Sequence, residues 1–229
     1  MNLENKNVLL IVAHPDDEVL GCGGLISKYH EKSNFKILVI AEGSSVRFHN
    51  RESIFLEDTI KSRNNGTLAL RKYGITDIVF SNLPCGNLCN QDPKVLHDII
   101  TFEANKFKPN IVFTHSRIDN HQDHRLVHEA VQVAFRPIKE LAETTILSFE
   151  TLSSSEWNFE DNFSPNCFLK LSERNLKDKI EMLEHFPEEV RDFPFPRSGE
   201  GIKTLAAFRG MQSGLGLAEA FKIIRYPIS

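Results

Sequence analysis

Short apolar runs recur along the chain at residues 8–12, 36–41, 75–80, 110–114 and 145–149. Each is rich in branched side chains and bounded by polar or turn-forming positions, the pattern of buried strands. Stretches with helical spacing lie between and after them. Asp92-Pro93 reads as an N-cap followed by a first-turn proline, and Val95, Leu96, Ile99 and Ile100 then recur on one face. Val127, Ala130, Val131 and Ala134 form a second stripe, and Leu176, Ile180 and Leu183 a third. A late helix is expected from about Ser198, after Phe193-Pro194-Phe195-Pro196-Arg197. Strands alternating with helices predict an α/β fold, a three-layer, mostly parallel and Rossmann-like sheet in a single domain over residues 1–229. Strand signals thin out after Thr151, so the C-terminal segment is expected to cap the sheet. Residues 44–65 and 153–165 read as polar loops, the first leading into a helix.

Composition narrows the function classes. The net charge of −4 offers no basic footprint, so nucleic acid is not an expected partner. No apolar stretch has the length of a membrane span, and the first seven residues lack the basic flank and cleavage site of a signal peptide. Four cysteines do not make a disulfide framework in a chain of 229 residues. Cys85 and Cys89 are close in sequence, but no second pair completes a zinc site, and free thiols are the expectation. The reading is a cytoplasmic chain, free to form a homo-oligomer.

The candidate chemistry lies at two strand ends. Ala13-His14-Pro15-Asp16-Asp17-Glu18 follows the first strand and leads into Val19-Leu20-Gly21-Cys22-Gly23-Gly24. An acid pair beside a histidine at that edge is costly to hold unless a cation shares the site. His115, Asp119, His121, Asp123 and His124 follow the fourth apolar run in the same way. The two clusters converge if their strands are neighbours in a parallel sheet. His14 and Asp17 stand one turn apart and can point at one ion, with His124 closing the set. Two histidines and a carboxylate leave an open position, as catalytic zinc requires, and the same donors suit iron(II). Structural uses compete with these. Asp16 could cap the helix beginning near Glu18, and Asp123 the helix bearing Leu126 and Val127. Gly21, Gly23 and Gly24 do not make Gly-x-Gly-x-x-Gly, so close helix–sheet packing competes with a dinucleotide site.

Ala13-His14-Pro15-Asp16-Asp17-Glu18 and Asp119-Asn120-His121-Gln122-Asp123-His124-Arg125 closely resemble the two signature motifs of the PIG-L/LmbE-like zinc-dependent deacetylases. Ile146-Leu147-Ser148-Phe149-Glu150, the 153–157 segment, Pro196-Arg197-Ser198-Gly199-Glu200, Arg209-Gly210 and Ala218-Glu219-Ala220-Phe221 continue the resemblance to the end of the chain. It implies zinc bound by His14, Asp17 and His124, with Asp16 as general base. It further implies His121 as oxyanion stabiliser or proton donor, and Asp123 orienting a histidine of the second motif. The implied activity removes the N-acetyl group from an amino sugar or its conjugate, such as a glycoside, nucleotide sugar or sugar-thiol precursor.

Members of that family often carry Arg-x-x-Glu in the second helix, where the arginine helps hold substrate. Here the region reads Ser62-Arg63-Asn64-Asn65-Gly66, without the acid, leaving Arg63 as candidate substrate contact or surface arginine. The segment Ser153-Ser154-Ser155-Glu156-Trp157 is expected to shape the substrate cleft, unless Trp157 is a core anchor. Arg197 and Glu200 would form a loop-stabilising ion pair on the plainest reading. A different class of function, a non-catalytic module binding a nucleotide sugar or dinucleotide, needs no metal with an open position.

Overall fold

The structure is a computed structural model and describes residues 2–44 and 54–228. Its strands are β1 (Asn7–Val12), β2 (Asn34–Ala41), β3 (Ile78–Leu83), β4 (Ile111–His115), β5 (Thr145–Phe149), β6 (Cys167–Leu171) and β7 (Leu217–Arg225). They form one sheet in the order β3-β2-β1-β4-β5-β7-β6. The first five run parallel, and β7 and β6 are added antiparallel at one side. Six α-helices accompany them among the described residues: α1 (Asp17–Tyr29), α2 (Ile54–Arg71), α3 (Pro93–Phe107), α4 (Gln122–Ala134), α5 (Glu173–Leu183) and α6 (Gly199–Ser213).

Alternation along β1 builds the three layers. Val8, Leu10 and Val12 join a core with Leu25 of α1, Leu176 of α5 and Ile202 of α6. Leu9 and Ile11 face the other way, onto Leu96 and Ile100 of α3 and Val127 and Val131 of α4. Asp92 caps α3 as expected, accepting the Lys94 N–H at 2.9 Å, and Ser198 caps α6, accepting from Gly201 at 3.0 Å. Residues 45–53 of the first polar loop lie outside the described residues.

Two expectations change. The third strand begins at Ile78 rather than at residue 75, because the Ile75 N–H closes the end of α2 on the Leu70 carbonyl at 3.4 Å. The C-terminal segment does more than cap the sheet, since it contributes β6 and β7 as well as α5 and α6. Its strands escape an apolar-run search because buried Glu219 interrupts β7.

That glutamate is structural. It accepts from the Gly24 and Leu25 N–H groups of α1, both at 2.7 Å, and pairs with buried Lys179 of α5 at 2.7 Å. Lys179 also donates to the Leu20 carbonyl at 2.8 Å. The pair thus pins α1, whose first turn carries Asp17, to β7 and α5. The glycines of α1 allow the approach. A β-carbon on Gly21 would overlap the Phe149 ring, and one on Gly24 would lie 2.7 Å from Leu171. Close packing is therefore their use. Lys179→Met strands the Glu219 carboxylate in the core and is expected to cost about 3–5 kcal/mol. Chemical denaturation checks this, and Lys179→Met/Glu219→Gln should recover part of the loss.

Candidate metal centre and active site

β1 lies between β2 and β4, so the carboxyl ends of β1 and β4 meet where the strand order reverses, the place where open α/β sheets bind ligands. The chain leaves β1 through a tight turn. Asp16 sits at φ 119° and ψ −28°, a region that non-glycine residues avoid and that functional sites retain. Glu18 Oε2 accepts the Asp16 N–H at 3.1 Å, and Asp17 Oδ2 accepts the His14 N–H at 2.8 Å. Asp17 opens α1, where the positive end of the helix dipole favours a carboxylate.

His14 Nδ1, Asp17 Oδ2 and His124 Nε2 form a triangle with all three sides 3.3 Å. Donors held about 2.0–2.1 Å from a tetrahedral ion stand roughly 3.3 Å apart, so this spacing fits a divalent cation. Asp17 Oδ1 is buried without a hydrogen-bond partner among the described residues. Each histidine turns its other nitrogen to a carboxylate, as metal-ligating histidines do. His14 Nε2 lies 3.2 Å from Asp123 Oδ2, and His124 Nδ1 lies 3.1 Å from Asp119 Oδ1. Asp123 is fixed by the Gly86 N–H at 2.6 Å. Asp119 is fixed by the His121 N–H at 2.9 Å, the Ser155 hydroxyl at 2.7 Å and the Ser154 hydroxyl. His115 also approaches Asp17, at 3.3 Å, but its Nε2 lone pair accepts the Ala13 N–H at 2.9 Å. That contact occupies the lone pair a cation would need, although His115 groups with Asp17 and His124.

The electrostatics agree with a cation site. Burial opposes charge on Asp17, but His124 and His115 outweigh it and hold the carboxyl well below its usual range. Burial opposes protonation of His124, yet Asp17 and Asp119 raise it to about 9. Burial likewise opposes protonation of His14, and Cys85, Asp123 and Asp17 raise it well above the ordinary value. A proton on His124 thus balances the buried carboxylates where a divalent ion would otherwise do so. Burial pushes Glu18 up to about 8, and pushes Asp16 up to about 6 against the pull of Arg197. Burial, then the charges of His14 and His124, bring His121 down to about 4.

A cleft of about 250 Å³ opens onto the triangle. Asp16, His121 and Arg197 line it, and Asp58, Lys61, Ser62 and Asn65 of α2 form one wall. Lys61 pairs with Glu188 of the facing segment.

Several expected roles are reassigned. Asp16 occupies the N-cap position of α1 but its side chain makes no capping hydrogen bond. It pairs instead with Arg197, at 2.5 Å. Asp123 does not cap α4, because His121 does so, its Nδ1 accepting the Asp123 N–H at 3.1 Å. Asp123 lies against His14 of the first motif rather than a histidine of the second, where Asp119 faces His124. Arg63 lies over the Phe80 ring, 5.7 Å from its centroid, and donates to Asn82, outside the cleft lining. Trp157 is 40% exposed, so it is no core anchor. Arg197 pairs with Asp16 and Glu189 rather than with Glu200. Asp119 and the hydroxyls of Ser154 and Ser155 stand behind His124, an arrangement that neither the histidine–aspartate cluster nor the serine run identifies by itself.

Strand ends that bring an acid pair and two carboxylate-backed histidines to one cleft define an α/β enzyme. The chain belongs to the PIG-L (GlcNAc-PI de-N-acetylase) family, which it matches over residues 9–135. It is 28% identical over 186 residues to the uncharacterized deacetylase YaiS of Escherichia coli (strain K12), covering 79% of this chain and 90% of that one. It is 27% identical over 236 residues to diacetylchitobiose deacetylase of Thermococcus kodakarensis, covering 96% and 83% respectively. Conserved protein TT1542 from Thermus thermophilus shares the fold with a TM-score of 0.75 at 18% identity, covering 98% of this chain and 97% of that one.

Proposed function

We propose that this protein is a zinc-dependent N-deacetylase that hydrolyses the acetamide of an amino sugar or its conjugate. The observation that carries the reading is the 3.3 Å donor triangle with the Asp16 carboxylate in the adjoining cleft. Family membership and the deacetylases among its relatives support the choice of bond.

His14, Asp17 and His124 are the residues to hold the ion, and iron(II) suits the same donors. Bound there, a divalent ion supplies Lewis acidity toward the amide carbonyl and acidifies water. Asp16 takes a proton from the attacking water as its oxygen bonds to the acetyl carbon and delivers that proton to the amine nitrogen as the C–N bond breaks, giving acetate and the amine. His121 accepts at Nδ1 from the Asp123 N–H, which leaves the ring proton on Nε2. In that neutral tautomer it donates a hydrogen bond to the developing oxyanion without titrating near neutral pH. Asp123 holds the ring of His14, and Asp119 sets a carboxylate beside the ring of His124. The wall formed by Asp58, Lys61, Ser62 and Asn65 offers the mixed donors and acceptors that sugar hydroxyls need.

The test is acetate release from free, glycosidic and nucleotide-linked N-acetyl sugars. At least one should yield equimolar acetate and amine, a chelator should abolish the reaction, and zinc or iron(II) should restore it. If the metal-loaded protein released no acetate across that panel while binding nucleotide sugars, the non-catalytic reading would replace this one.

A further inference from the structure

We infer that Arg197 is a positioning residue for the reaction, holding one edge of the Asp16 carboxylate so that the other faces the attacking water. This rests on the reading of Asp16 as general base.

The geometry has three parts. First, Asp16 lacks the ordinary means of fixing such a side chain. Its φ of 119° turns it out of the α1 cap, and its carboxylate makes no bond to the helix N-terminus. Its Oδ2 is instead taken by Arg197 at 2.5 Å, which leaves Oδ1 for the reaction.

Second, the guanidinium is itself anchored. The nitrogen that holds Asp16 also donates to Glu189 at 2.7 Å, while Nε donates to the Ser153 hydroxyl at 2.6 Å. Ser153 lies in the segment whose next two residues, Ser154 and Ser155, fix Asp119 behind His124. Arg197 therefore ties the base to the same loop that supports the second cluster.

Third, the backbone carrying Arg197 is rigid. The Arg197 carbonyl accepts the Arg191 N–H at 3.2 Å, closing the loop, and the next residue, Ser198, caps α6. A β-carbon on Gly201 would overlap the Pro196 carbonyl oxygen, so the first turn of α6 packs directly on this loop. The guanidinium's place is thus set by α6, whose Arg209 is locked to Glu150 after β5 by two bonds of 2.7 and 2.5 Å.

The alternative is that Arg197 contacts substrate directly, because it also lines the cleft. The two are separable by kinetics. Acting through Asp16, Arg197→Ala should lower kcat about 10- to 100-fold, the scale of a misplaced catalytic group, with KM and ion content unchanged. Guanidinium ion added at low concentration should restore part of kcat. In an Asp16→Asn background the same substitution should cost nothing further, since the group it positions is already gone. Arg197→Lys keeps a charge for folding but cannot reach its acceptors as a planar fork, and should lower kcat about tenfold.

Wild-type kcat in folded, ion-loaded Arg197→Lys or Arg197→Ala overturns the inference. So do a rise in KM with kcat intact, and losses that multiply in the double variant. Full turnover in Asp16→Asn alone would overturn the base assignment and this inference with it. An inactive Asp16→Asn beside a fully active Arg197→Ala would overturn this inference alone.

Discussion

His124→Ala is expected to empty the site and lower acetate release by at least about 10³-fold. The several kcal/mol that Lewis-acid polarisation supplies correspond to that factor at about 1.4 kcal/mol per tenfold. Elemental analysis of protein prepared without chelator should show about one ion per chain in the wild type and almost none in the variant. His115→Ala is the control. Its Nε2 is engaged by the Ala13 N–H, so removing it should weaken packing and leave the ion in place. Full occupancy in His124→Ala would break the ligand assignment. The same site makes ion uptake pH-dependent with a definite sign. His124 is raised to about 9 and His14 is shifted in the same direction, so the ion-free site binds protons that compete with a cation. An incoming cation must displace them, and its affinity falls as pH falls. Calorimetry in buffers of different ionisation enthalpy reads that proton release directly.

Asp16→Asn is the second large effect. The substitution keeps the shape and leaves His14, Asp17 and His124 untouched, so the ion stays while kcat drops about 10²- to 10⁴-fold, the usual contribution of a general base. The pH dependence has a sign here too. Burial raises Asp16 to about 6, and only its ionised form accepts a proton. In the wild type at saturating ion, kcat/KM should therefore fall toward acid with a midpoint at or below about 6, since a nearby cation favours the carboxylate, and the residual rate of Asp16→Asn should lack that limb. Unchanged turnover in the ion-loaded variant would move the base elsewhere in the cleft, Glu189 being the nearest carboxylate on the same arginine.

The parallel half of the sheet is legible in the sequence because β1, β2, β4 and β5 are sealed on both faces and each keeps a short apolar stretch, Val8-Leu9-Leu10-Ile11-Val12, Ile37-Leu38-Val39-Ile40-Ala41, Ile111-Val112-Phe113 and Ile146-Leu147. β7 is not, since a buried ion pair replaces one of its apolar positions. The two clusters that build the site are legible for a different reason. Each is a contiguous stretch at a strand end, and the only missing step is that β1 and β4 are neighbours. What resists reading is everything set by contact across the chain. Asp123 meets His14 over 109 residues of sequence, and neither motif records which histidine it serves. His121 caps a helix through a ring nitrogen, a use that does not stand out among the usual Ser, Thr, Asp and Asn caps. Arg63 lies on α2, and the turn of that helix which faces the cleft presents Ser62 and Asn65 instead.

The span between Asp16 and Arg197 has a consequence for how the protein is made. The arginine that holds the base is synthesised 181 residues after it. At about 5–20 residues per second the interval is roughly 10–40 s. His124 arrives earlier, 110 residues after His14, so the nascent chain owns a complete donor set before it owns a fixed base. On the proposed roles, ion capture is therefore expected to precede catalytic competence during translation, with the base fixed only once the segment carrying Arg197 has docked.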